Sequence, residues 1–246
     1  PYNGEEQAPT ASVMIEGNEV NCAVTVKGEH KNAGEYKAVA ELDASYSNYK
    51  LNENEVMCDF TIAKREVNVT IKDASKVYGQ AEPKFSYKVE NGLEDTKLSD
   101  KFKARLDAET IVREAGENVK EDGYRIYFAS ETEKNSGIVE LENYKVTFTS
   151  GNFVIIPREV NVTINNQEKE YGEEDSEFSF TADENNLKEL NGENRVDLTN
   201  EFNNLFVKTL TRQPGEDVRT ENYEIFSDPT IADDATQAGL KNYNII

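Results

Sequence analysis

The stretch Arg158-Glu159-Val160-Asn161-Val162-Thr163-Ile164 decides how this chain is read, because Arg65 to Ile71 is the same heptapeptide. The copies lie 93 residues apart (158 less 65), and self-similarity at a fixed period is the signature of a repeated architecture. Tyr78-Gly79 returns as Tyr171-Gly172, and Phe85-Ser86-Tyr87 as Phe178-Ser179-Phe180, at the same spacing. Further on the offset is 99 (215 less 116). There Gly116-Glu117-Asn118-Val119 is answered by Gly215-Glu216-Asp217-Val218, and Arg113, Tyr124 and Asn143-Tyr144 by Arg212, Tyr223 and Asn242-Tyr243. The later copy thus carries extra residues in its middle, and an insertion that leaves both flanks in register is expected in a surface loop. A shorter, divergent copy comes first. Phe60-Thr61-Ile62 precedes Phe153-Val154-Ile155 by 93, Asn48-Tyr49 matches Asn143-Tyr144, and Tyr2-Asn3-Gly4 takes the place of Tyr78-Gly79. The matches divide the chain into a first repeat at 1–64, a second at 65–157 and a third at 158–246. The first is read as cropped at its N-terminal side and the third at its C-terminal side, where Ile246 stops short of the continuation seen in the second.

Within the heptapeptide Val67, Val69 and Ile71 alternate with Glu66, Asn68 and Thr70, which predicts a half-buried strand with β-branched residues on its core face. Tyr78-Gly79 reads as a tight turn and Phe85, Tyr87 and Val89 as a second alternating run, ended by the turn signal Asn91-Gly92. Leu93, Leu98, Phe102 and Leu106 have near-helical spacing and allow one short helix; Leu187 to Leu205 is ambiguous in the same way. Strands are expected again at Tyr124, Ile126 and Phe128 and at Tyr144, Val146 and Phe148. Ser150-Gly151-Asn152 reads as a hairpin turn into Phe153 and Ile155. Pro157 alone separates the second repeat from the third, so a stiff joint is expected. The fold class is all-β, as tandem small modules. An immunoglobulin-like sandwich is favoured because a tyrosine following glycine before a late strand suits a tyrosine corner; a β-grasp-like module is the alternative, to which the possible helix leans.

In character and order these residues make the chain resemble the MBG repeats of bacterial surface adhesins, in the variety named for its Tyr-Gly dipeptide. The second repeat carries the whole signature: Tyr78-Gly79, Pro83, Gly123-Tyr124, Asn143-Tyr144, Gly151 and Phe153-Val154-Ile155. The third departs from it, with Ser176 for the proline, Asn222 for the glycine before Tyr223, and no final strand pair. The resemblance implies display outside a bacterial cell, on the surface or wall, in a non-catalytic array, and it transfers no catalytic or ligand residues.

Composition narrows the rest. Forty-eight acidic against 27 basic residues give a formal charge of -21, a field that repels nucleic-acid backbones and anionic lipid surfaces. No run of 18 apolar residues exists, so no bilayer-spanning helix is expected in this region. His30 is the single histidine, so any histidine-based catalytic constellation would have to use it; set in a polar turn of the least typical repeat it reads as a solvated loop residue, and one His with two Cys far apart in sequence disfavours structural zinc. Cys22 and Cys58 both fall on apolar-facing positions of the first repeat and either form a disulfide or stay reduced and buried. Glu173-Glu174-Asp175 and Asp233-Asp234 offer hard oxygen ligands for calcium or are simply solvated acidic loops. Tyr46, Tyr49 and Tyr127 are the aromatics best placed for exposure, and hence for stacking on a sugar. No cofactor and no enzyme activity are expected. The leading function is the stalk or spacer of an adhesin, its partners being neighbouring repeats of the same chain. The alternatives are repeats that themselves bind host or environmental glycan or protein, and an accessory module of a secreted polysaccharide-degrading enzyme.

Overall fold

The computed structural model describes residues 1–20, 24–52, 56–91, 93, 96–129, 142–189 and 196–246. The stretch 1–64 contains β1 (Val13–Ile15), β2 (Asn18–Val20), β3 (Val24–Lys27), β4 (Gly34–Leu42) and β5 (Met57–Ile62). The stretch 65–157 contains β6 (Arg65–Ile71), β7 (Ala74–Val77), β8 (Tyr87–Asn91), α1 (Thr96–Asp107), β9 (Ile111–Arg113), β10 (Tyr124–Phe128), β11 (Tyr144–Thr149) and β12 (Gly151–Ile156). The stretch 158–246 contains β13 (Arg158–Val160), β14 (Val162–Ile164), β15 (Phe180–Ala182), α2 (Glu184–Leu187), β16 (Lys188–Glu189) and β17 (Val196–Asp197). It continues with α3 (Thr199–Phe206), β18 (Leu210–Arg212), β19 (Ile225–Ser227), α4 (Asp234–Leu240) and β20 (Tyr243–Ile245). The protein is mostly β, in several small sheets compatible with a sandwich-like module.

The chain forms two compact units, one of residues Pro1–Ile71, Ser86–Val112 and Tyr127–Ser150, the other of Lys72–Phe85, Arg113–Ile126 and Gly151–Ile246. In the first, β6 is the central strand of the order β11-β6-β8, parallel to β11 with Arg65 opposite Tyr144 and antiparallel to β8. Its alternation does what the sequence says: Val67, Val69 and Ile71 are buried. Each such side chain contributes about 1.5–3 kcal/mol of hydrophobic stabilisation. The helix permitted by the spacing exists as α1, and Leu98, Phe102 and Leu106, four residues apart, form its buried stripe. The rings of Phe102 and Tyr144 meet at 5.2 Å and those of Phe128 and Phe148 at 5.4 Å. Strands β3, β4 and β5 form an antiparallel sheet in which Tyr36 lies opposite Phe60.

In the second unit β12 runs between β7, which it parallels, and β10, which it opposes with Phe153 against Tyr124. Phe153 and Ile155 are buried on both counts. Strand β13 is parallel to β20 with Arg158 opposite Tyr243, the register that Arg65 and Tyr144 have in the first unit. The ambiguous stretch after Leu187 folds as α3, whose Phe202 and Phe206 stack at 5.5 Å and close a core with Val160, Leu187, Leu198, Leu210 and Tyr243.

Two expectations are corrected here. Ser150-Gly151-Asn152 is not a hairpin turn: β11 and β12 belong to different sheets, and the Asp73 carboxylate accepts the Asn152 N–H at 2.7 Å to start β12. Cys58 is exposed rather than buried: along its face of β5 burial falls from Ile62 through half-buried Phe60 and has run out at Cys58, near the other end of the strand. Cys22, the other half of the possible disulfide, lies outside the described residues, as does Gly92 of the turn signal.

Candidate functional site

The repeated residues converge on a loop clamped by a tyrosine. Tyr124 leaves β10 with its ring over Gly116, where a Cβ would lie 2.4 Å from the ring, and its hydroxyl donates to the Asn118 carbonyl at 2.7 Å. Tyr223 does the same over Gly215, donating to the Asp217 carbonyl at 3.0 Å, and Tyr36 donates to the Asn32 carbonyl at 2.9 Å. This is the hydroxyl-to-upstream-carbonyl bond of a tyrosine corner. It explains why glycine and tyrosine recur together: the loop can fold under the ring only if no Cβ intervenes. The loop tip is thereby fixed.

In the second unit that tip meets the next stretch of chain. Asn242 is buried; its Oδ1 accepts the Val119 N–H at 2.7 Å and its Nδ2 donates to Asn118 Oδ1 at 3.0 Å. The Arg158 Nε donates to the Tyr78 carbonyl at 2.8 Å and its Nη1 to the Asn186 carbonyl at 2.7 Å. The rings of Tyr78 and Tyr243 meet edge to face at 5.5 Å, and both hydroxyls donate to one Glu201 oxygen, at 2.8 and 2.9 Å. Burial first, and the Glu201 carboxylate second, push both phenols well above the ordinary tyrosine range. Gly79 has φ +80°, and a Cβ there would stand 2.7 Å from the Leu198 side chain.

The first unit holds the same construction. Asn143 Oδ1 accepts the Ala33 N–H at 2.6 Å and its Nδ2 donates to Asn32 at 3.1 Å. Arg65 donates to the Tyr2 carbonyl at 3.5 Å, and Tyr2 and Tyr144 meet edge to face at 5.4 Å. Gly4, with φ +81°, lies against Leu98 at 2.8 Å for its absent Cβ. Tyr-Gly, Arg and Asn-Tyr, which sequence alone presents as scaffold, are joint residues.

A second repeated cluster is ionic. Lys76, buried in β7, reaches Glu82 at 2.7 Å and Glu117 at 2.6 Å, while Arg113 pairs with the same two carboxylates and donates to the Gly116 carbonyl at 2.6 Å. The Arg113 guanidinium, with help from Lys76, holds the Glu82 carboxyl down at about 2. Lys169, Asp175, Arg212 and Glu216 repeat the arrangement: Lys169 reaches Asp175 at 2.9 Å and Glu216 at 2.6 Å, and Arg212 reaches Asp175 at 2.7 Å.

The sequence-derived candidates are redistributed accordingly. Asp175 of the acidic run is ion-paired, Asp233 caps α4 by accepting the Thr236 N–H at 2.7 Å, and Glu173 and Glu174 face solvent. His30 is not a solvated loop residue: its ring stacks on Tyr36 at 3.8 Å. Tyr49 is exposed, but Tyr46 and Tyr127 are half-buried. The more exposed ring is Tyr171, at 73%, beside a groove of about 800 Å³ that it lines with Tyr223 and Phe178. Its identity with the joint residue Tyr78 hides it in the sequence.

Sheets around a packed helix, with a clamped tyrosine whose loop meets a neighbouring stretch, define the class: a mostly-β module whose signature residues build joints. The family model described as MBG domain (YGX type) matches residues 67–154, so that part of the chain is similar to an MBG domain. The match spans Tyr78-Gly79, Gly123-Tyr124 and Asn143-Tyr144, the residues on which the resemblance rests. Domains of this kind are found in surface proteins. No curated protein and no solved structure matches the chain. Among the described residues no helix is long and apolar enough to cross a membrane.

Proposed function

We propose that the three stretches are tandem, non-catalytic repeat modules of a bacterial surface protein, exposed outside the cell, and that they serve as the stalk of an adhesin. The observation that carries this reading is the joint. The same Arg, Asn-Tyr and Tyr-Gly chemistry connects 1–64 to 65–157 and 65–157 to 158–246: in both the Asn Oδ1 accepts a loop N–H and the Arg guanidinium donates to the tyrosine carbonyl, from Nη1 of Arg65 and Nε of Arg158. Buried side chains that hydrogen-bond backbone groups across a joint hold one orientation more firmly than a flexible linker does. A spacer needs that property, and a ligand site does not. The test is binding of the folded chain to an array of mucins, plant and host glycans and matrix proteins. No saturable binding is expected. A saturable ligand lost on Tyr49→Ala or Tyr171→Ala, with the melting temperature unchanged, would replace the stalk by the second reading, in which the modules themselves adhere through exposed tyrosines.

A further inference from the structure

The family match covers residues 67–154, and neither compact unit coincides with that span. Of the second stretch, residues 65–71, 86–112 and 127–150 belong to the first unit, and 72–85, 113–126 and 151–157 to the second. Ring and ion-pair contacts inside the stretch follow this division. Phe102 meets Tyr144 and Tyr87 meets Phe128 in the first unit, while Phe85 meets Phe153 and Lys76 pairs with Glu117 in the second. Each part also packs on a neighbouring stretch. In the first unit Tyr2 meets the Tyr144 ring, Gly4 makes room for Leu98, and Asn143 binds Ala33 and Asn32. In the second, Tyr78 packs against the core that Phe202, Phe206 and Tyr243 build in the third stretch, Gly79 makes room for Leu198, and Asn242 binds Val119.

We propose that the compact unit, and not the sequence repeat, is what folds and unfolds as a whole. Each unit combines part of one repeat with part of the next, so no repeat opens alone. Cooperative opening follows dense buried contact, and the contacts that close these cores run from one repeat to another. Opening residues 158–246 alone would strip Tyr78 of its cover and leave the Val119 N–H without Asn242 Oδ1, which costs free energy wherever water does not replace the partner. Opening 1–64 alone would do the same to Tyr144 and Asn143. The stagger also accounts for two signatures in one repeat. A unit takes Tyr-Gly, or Tyr-Asn-Gly, from the earlier repeat and Arg with Asn-Tyr from the later one. The second repeat contributes to both units and carries both signatures. The arrangement is a conformational device: a perturbation in the third stretch loosens one part of the second and leaves the other part in place.

The proposal concerns folding and does not rest on the stalk reading. Hydrogen exchange of the whole 246-residue chain in dilute urea tests it, with the variants Phe102→Ala and Phe202→Ala. In Phe102→Ala, exchange should speed up about a hundredfold or more at Arg65–Ile71, Tyr144–Thr149 and, in the first stretch, Gly34–Leu42, as loss of a buried phenyl ring implies. Ala74–Val77 and Gly151–Ile156 should keep their wild-type rates. In Phe202→Ala those last two strands should exchange faster, although they lie in the second stretch, while Arg65–Ile71 is unchanged. Phe102→Leu and Phe202→Leu, which refill most of the cavity, should show the same pattern at smaller amplitude and serve where an alanine variant does not fold. Acceleration confined to 65–157 in the Phe102 variants and to 158–246 in the Phe202 variants, even acceleration over the whole chain, or none at all would overturn the proposal.

Discussion

Asn242 shows what one residue contributes to this protein. Its amide satisfies the Val119 N–H and the Asn118 side chain at once, in a position 2% exposed to solvent. Asn242→Ala leaves a buried donor without its partner and should cost about 1–3 kcal/mol of stability in urea unfolding, against a few tenths for a surface control such as Glu221→Gln. Glu82 makes a second, pH-dependent prediction. Its carboxyl sits at about 2 in the folded protein against an ordinary 4.5. A lowered folded value means that its contribution is complete above pH 4.5 and is lost as the pH falls from there through 2. The melting-temperature difference between wild type and Glu82→Gln should therefore be present at pH 7 and close across that window. The carboxylate is partly solvated, so the difference will be modest. A difference that persists below pH 2 would mean that Glu82 acts through packing instead of charge.

At the scale of the element, α1 and the tyrosine-clamped loop make opposite demands. The helix needs bulk: Phe102 is 2% exposed, its ring against Tyr144, and Phe102→Ala should cost about 3–5 kcal/mol through lost burial and the cavity left behind. The loop needs the absence of bulk. Gly116 has φ +141° and the Tyr124 ring over it, so Gly116→Ala should be destabilising although alanine is the smallest possible addition, with the Tyr124 hydroxyl bond to Asn118 lost in the process. Comparable unfolding midpoints for Gly116→Ala and wild type would show that the ring moves aside at no cost.

For the whole molecule the dominant long-range term is charge. A formal charge of -21 repels itself in the folded state, and exposed charges are screened over roughly 10 Å at 0.1 M salt. The melting temperature should rise by a few degrees between 0.01 and 0.15 M sodium chloride. A fall would show that the ion-pair clusters around Arg113 and Arg212, which salt weakens, outweigh the net repulsion.

The sequence by itself determined the period and the alternating strands such as Val67, Val69 and Ile71, allowed the helix stripe Leu98, Phe102 and Leu106, and carried the resemblance to MBG repeats that the family model matches at residues 67–154. These are local patterns or repeated strings, and burial follows from periodicity of 2 or 3.6 whatever the partner. Tertiary structure alone decided what the repeated Arg, Asn-Tyr and Tyr-Gly do, because the atoms they bond lie scores of residues away: Asn242 lies 123 positions from the amide it accepts. It also decided that Ser150 separates strands of different sheets, since a turn signal fixes a change of direction and not the strand's next partner. The groove beside Tyr171 was hidden for the same reason. The sequence shows Tyr171 as a copy of Tyr78, and only the neighbouring strands show that one is packed in a joint and the other stands open to solvent.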